Sequence, residues 1–170
     1  MPRFEFIQKI SLQPASLFIV VILYFIQAGL EELGWRGFML ERMQNTMKPL
    51  GASLVVGISH AMWHLPLLWV GGTNQIRWGF GVDFWIFIAV VVAGSVYSTW
   101  CYNNNSRSTL AVIVLQFTTK MSLDIFTEPG TQQRIYNMLV IIGAVVIAAV
   151  WLFQNHNSMD IMHHSHHRYE

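Results

Sequence analysis

The chain has 170 residues, 54% of them hydrophobic and 11% charged, with a mean hydropathy of +0.42. An ordinary soluble domain carries ~25% charged residues, so the composition excludes that class and places the chain among membrane proteins. A net charge of +1 without a basic run gives no signal for nucleic-acid binding, and the single cysteine, Cys101, excludes an intramolecular disulfide.

Residues 1–13 read as a short amphipathic lead-in at the membrane interface. Pro14 suits the first turn of a helix. A first helix is predicted from about residue 14 to about residue 46. Its apolar part, Ala15 to Leu40, exceeds the ~20 residues a span needs, so it must tilt or push its Arg42 end out of the bilayer. The run follows Arg3 and Lys9, as a signal peptide would. It ends in Glu31-Glu32 rather than at a small-residue cleavage site, so it reads as a retained helix. Glu31 lies roughly 24 Å beyond Ala15 at 1.5 Å per residue, in the far half of the bilayer.

Lys48-Pro49-Leu50-Gly51 reads as a turn. A second helix, about residues 50–70, has no formal charge but carries His60 and His64. Pro66 removes one backbone donor and crowds the carbonyl of Met62, which predicts a kink or unwinding beside His64. A third helix, residues 84–101, is uncharged, and Ala93, Gly94, Ser95 and Ser98 would let another helix approach closely. The polar loop 103–108 offers an N-cap to a fourth helix, about residues 109–126. There Gln116, Lys120 and Asp124, spaced four and four, form one polar stripe, with Lys120 and Asp124 expected to pair. A fifth helix, residues 135–153, is apolar except for Asn137. Residues 156–170 form a polar, solvated tail holding five of the seven histidines, a composition that also suits metal binding. The basic residues outside the helices divide evenly between the two sides, so they fix no orientation.

The organising stretch is Glu31-Glu32-Leu33-Gly34-Trp35-Arg36-Gly37. Ionisable groups at membrane depth cost ~2.5–3.5 kcal/mol each on insertion scales, and they persist where they are paired, hydrated or used. Glu32 and Arg36 are four apart and lie on one helix face, so they can pair. Glu31 points about 100° away and has no evident local cation, which makes it the first candidate for chemistry. The polar faces of the first, second and fourth helices are expected to turn toward one cavity. There a carboxylate takes a proton from water, and a histidine holds the water or the developing oxyanion. His60, His64 and Glu31 also make a three-ligand set that zinc can use. Taken singly, each feature has a plainer reading: Glu32–Arg36 as a structural pair, His60 as a packing residue, Trp63, Trp69 and Trp78 as interface anchors. The co-occurrence of Glu31 with His64 beside a proline is what a scaffold does not need.

On these residues the chain resembles the CAAX protease and bacteriocin-processing family (CPBP, or Abi) of intramembrane endopeptidases, usually called metalloproteases. Glu31-Glu32-x-x-x-Arg36-Gly37 matches the family's first motif, and His64 in Trp63-His64-Leu65-Pro66 matches the histidine of the second, normally Phe-x-x-x-His, with His60 at the phenylalanine position. The third motif, His-x-x-x-Asn, departs: Gln116 and Lys120 stand in those places. The similarity covers about residues 18–124. It implies that Glu31 activates water, that His64 positions it or stabilises charge, that Glu32 and Arg36 hold the site together, and that Gln116 and Lys120 stand where the oxyanion donors should be. It also implies a peptide or lipidated protein substrate and, through the metalloprotease label, zinc. Family members usually have further spans upstream, so the chain is expected to be a short member or a fragment.

The resulting expectation is an all-α polytopic membrane protein of about five transmembrane helices, with a protease-like domain over residues 1–155 and the tail over 156–170. It is expected in the cell (plasma) membrane, acting on a membrane-anchored or lipidated peptide. The alternatives are a catalytically impaired homologue serving as an immunity or interaction protein, and a small transporter or proton-relay subunit.

Overall fold

A computed structural model describes the backbone of residues 14–72, 79–126 and 131–166, and the side chains of residues 18–72, 79–122 and 135–152. The described residues are helical with short turns and contain no strand. Helix α1 (Pro14–Glu32) continues into a π-helical stretch, Leu33–Leu40, and a last α-turn, α2 (Glu41–Gln44). The α-helix expected over residues 14–46 therefore has a widened middle. Gly34 and Gly37 lie within it, and glycine accepts departures from α geometry at low steric cost. Such widened turns are frequent at functional sites.

Helix α3 (Pro49–Trp63) starts with proline in its first turn and ends just before His64, where a 3₁₀ stretch, Leu65–Trp69, takes over. This is the unwinding that Pro66 predicts. Then come α4 (Val82–Asn104), α5 (Thr109–Phe126) and α6 (Thr131–His166). Ser108 caps α5, its Oγ accepting from the Ala111 N–H at 3.3 Å. The backbone of α6 stays helical through residues 156–166, so no helix end marks the expected tail boundary; the side chains there lie outside the described residues, as do residues 1–13.

Phe18–Gln44, Pro49–Trp69, Val82–Asn104 and Ile135–Leu152 are long and apolar enough to cross a membrane. That is four spans among the described residues, against about five expected. The remaining helix, α5, carries the polar stripe. Many of the large apolar side chains, Phe18, Leu30, Trp69 and Val146 among them, are exposed on the protein surface, as suits contact with lipid. The protein is an all-α integral membrane protein.

The chain falls into two compact units. One draws on Met1–Met47 and Ser98–Met138, the other on Lys48–Tyr97 and Leu139–Glu170. In the first, α1 and the π-helical stretch pack along α5. Phe25 meets Phe117 edge to face at 5.8 Å, and a Cβ on Gly37 would lie 3.6 Å from Thr109 Oγ1. The partner numbers run in opposite senses, so the two helices are antiparallel. In the second unit, Ala93, Val96 and Ala144 form a small buried core with Leu50, Val140, Ile141, Ile147 and Trp151 packed on it. There α3 crosses α4 closely: Ser95 Oγ donates to the Ser53 carbonyl at 2.9 Å, and a Cβ on Gly57 would come within 2.9 Å of Ser95 Cβ. Small residues at a crossing let backbones approach and pack without a hydrophobic driving force. Ser95 and Ala93 serve that purpose as expected. Gly94 does not; a Cβ there would meet nothing within 4 Å.

Candidate active site

Ala28, Glu32, Arg36 and Leu40 are all fully buried. Their four-residue spacing makes one sealed stripe down the first span. Within it Arg36 Nη1 donates to Glu32 Oε1 at 3.0 Å. The expected pair is there, and it survives the passage from α to π geometry. Glu32 Oε2, Arg36 Nε and Arg36 Nη2 have no hydrogen-bond partner among the described residues. Each such buried group costs ~1–3 kcal/mol, so the pair is a poor device for stability alone.

Glu31 lies outside the stripe and is 22% exposed. Its two oxygens are held from two helices. Gln27 Nε2, one turn earlier on α1, donates to Oε1 at 3.1 Å; Lys120 Nζ of α5 donates to Oε2 at 2.8 Å. Glu31 thus takes a cation from another helix, α5. The expected Lys120–Asp124 pair lies outside the described residues, since the Asp124 side chain is not among them. Lys120 is itself 29% exposed, so the ion pair stands at the edge of the buried region. Gln116, one turn before Lys120, donates to Ser98 Oγ of α4 at 3.3 Å. Its amide is thereby held within the same unit.

His60 and His64 belong to the other unit. His60 is buried and His64 half-buried. Their rings meet edge to face at 5.1 Å, and His64 also stacks on Phe87 of α4, with centroids at 5.1 Å and planes 18° apart. Offset stacking of this kind fixes a ring's plane. His64 sits at the junction of α3 and the 3₁₀ stretch, so the proline break determines where that ring is presented. The structure thus brings Glu31, Glu32, Arg36, Gln116 and Lys120 into one unit, and His60 with His64 into the second.

Zinc needs three protein donors at least. Among the described residues no group of three His, Cys, Asp or Glu side chains is placed to hold a metal ion. The zinc set of His60, His64 and Glu31 draws on both units. Three residues escaped the reading of the sequence. Gln27 carried a signal, an amide four residues before Glu31 in an apolar run. Ser98 was read only as a small residue at a helix crossing and Phe87 not at all, because their polar and ring partners lie on other helices.

Comparison with known proteins agrees with the motifs. The family model for type II CAAX prenyl endopeptidase Rce1-like proteins matches residues 13–122, well over half of the chain. A relative from Methanococcus maripaludis, CAAX prenyl protease 2, is 32% identical over 100 residues, 55% of this chain and 36% of that protein. The chain thus spans about a third of the length of the curated relative it matches. On the family match and the motifs at Glu31 and His64, the chain belongs to the type II CAAX prenyl endopeptidase Rce1-like family.

Proposed function

We propose that this chain hydrolyses a peptide bond of a lipidated or membrane-anchored substrate with water activated by Glu31. The carrying observation is the different setting of two adjacent carboxylates. Glu32 is sealed and bound to Arg36, while Glu31 is part-exposed and held by donors on both oxygens. Neighbouring acids in different environments take different roles. Glu31 is the base and Glu32 the structural partner.

As the water oxygen bonds to the scissile carbonyl carbon, Glu31 takes the water's proton. The carbonyl oxygen becomes an oxyanion. When the C–N bond breaks, the proton passes from Glu31 to the departing amine. Lys120, whose ammonium already sits 2.8 Å from the base, supplies positive charge near the developing oxyanion, and Gln116 supplies an amide donor. His64, by its place in the second motif, positions the water or stabilises charge. The plasma membrane is the proposed location, and its lipid the immediate surroundings.

A second reading rests on the same ion pair. Lys120 stands where the family has asparagine, and its ammonium occupies Glu31 Oε2. In an impaired homologue serving as an interaction protein, that contact would silence the base.

The test is cleavage of a prenylated peptide by purified protein in lipid nanodiscs. Glu31→Gln is expected to lower the rate at least 10²-fold with an unchanged melting temperature. Lys120→Asn separates the readings: a slower enzyme supports the first, and a tenfold faster one the second. Cleavage by Glu31→Gln at the wild-type rate would overturn the mechanism.

A further inference from the structure

We propose that Gln27 is a positioning residue for Glu31, the same-helix half of a clamp whose other half is Lys120. The inference rests on Glu31 acting as the base. Gln27 lies outside the family's motifs, and the run Ala15–Leu30 contains no other amide. It is an exposed position on a span whose neighbours Ile26 and Leu30 are also exposed, where a hydrocarbon side chain would serve the lipid contact better. Its Nε2 donates to Glu31 Oε1 while Lys120 Nζ donates to Oε2. A carboxylate with a donor on each oxygen, from two different helices, is fixed in rotation as well as in place.

The two bonds are unequal. Both end on a carboxylate, but only the Lys120 donor carries a formal charge, and its bond is the shorter, 2.8 Å against 3.1 Å. Lys120 therefore governs where Oε2 lies, and left alone it would draw the carboxylate toward α5. The Gln27 amide holds Oε1 back on the α1 side. A carboxylate oxygen can accept more than one hydrogen bond, so Oε1, under the weaker donor, is the oxygen that meets the water. Without Gln27 the base keeps its charge and its cation but loses its aim. Misplacing a catalytic group by ~1 Å can cost about 10²-fold in rate, and partial loss of aim falls below that ceiling.

The experiment uses the full chain in nanodiscs with Gln27→Met, which keeps length and apolar bulk and removes the donor. Expected are a kcat about tenfold lower, a KM within twofold and an unchanged melting temperature. A second readout does not need activity: labelling by an apolar carbodiimide, which modifies membrane-embedded carboxyl groups, quantified by mass spectrometry. Glu31 should label at least threefold faster in Gln27→Met than in wild type, with Glu32 on the same peptide as an unchanged control. An unchanged kcat, a loss explained by a lower melting temperature, or equal Glu31 labelling in the two proteins would overturn the proposal. If neither protein cleaves the peptide, the hydrolase reading fails, and the labelling ratio alone still decides whether Gln27 holds Glu31.

Discussion

Glu32 and Arg36 neutralise each other out of reach of solvent, yet three of their polar atoms lack partners among the described residues. Removing either residue strands the other as a buried charge, at ~3–5 kcal/mol. Glu32→Ala and Arg36→Ala should therefore unfold well before wild type in a detergent thermal melt. Glu31→Ala should lose less, because both Glu31 and Lys120 are part-exposed; equal losses in all three would remove the distinction between the two acids. The Glu32–Arg36 pair was legible in the sequence because its partners are four residues apart. The cation of Glu31 was not, because it comes from 89 residues away, and Asp124, one turn beyond Lys120, offered a nearer choice. Metal content is also decided by side chains. With residues 156–170 removed, so that the tail histidines cannot bind, the purified protein should carry far less than one zinc per chain by elemental mass spectrometry. About one zinc per chain, lost in His60→Phe, would support the three-ligand set of His60, His64 and Glu31.

At the scale of elements, close crossings rather than propensities govern what substitution does. In an exposed helix, alanine in place of glycine gains ~1 kcal/mol. At Gly57 that gain meets Val92 Cα at 3.0 Å and Ser95 Cβ at 2.9 Å. Backbone cannot step aside as a flexible side chain can, and overpacking costs typically ~1–3 kcal/mol. Gly57→Ala should therefore lower the melting temperature, whereas Gly94→Ala, with nothing within 4 Å, should not. The reverse order would mean that α3 and α4 do not cross there. The bounds of α5 and the break at His64 could be read in advance, since Ser108 and Pro66 act within a turn of themselves. The π-helical stretch could not. A widened turn leaves the apolar pattern of residues 33–40 intact, and its glycines permit the geometry without requiring it.

At the scale of the molecule, composition alone placed the chain in a membrane, and the motifs at Glu31 and His64 placed it in its family. The division into two units had no signal, because α4 and α6 each contribute residues to both and no linker marks the change. The two adjacent acids also differ in when their cations are made. Arg36 leaves the ribosome four residues after Glu32, so that charge is cancelled within one helical turn of synthesis. Lys120 follows Glu31 by 89 residues, about 4–18 s later at ~5–20 residues per second. Through that interval the amide of Gln27 is already in place and the cross-helix ammonium is not. A translocation assay on residues 14–46 alone should then show Glu31→Leu inserting more readily than wild type, by up to ~2.5–3.5 kcal/mol. Glu32→Leu should gain less or nothing, since it leaves Arg36 bare; equal gains would mean that the pair does not form in the nascent span. Glu31, the proposed base, is thus an acid that the growing chain must carry into the membrane on credit from its own helix, until a segment not yet translated arrives to balance it.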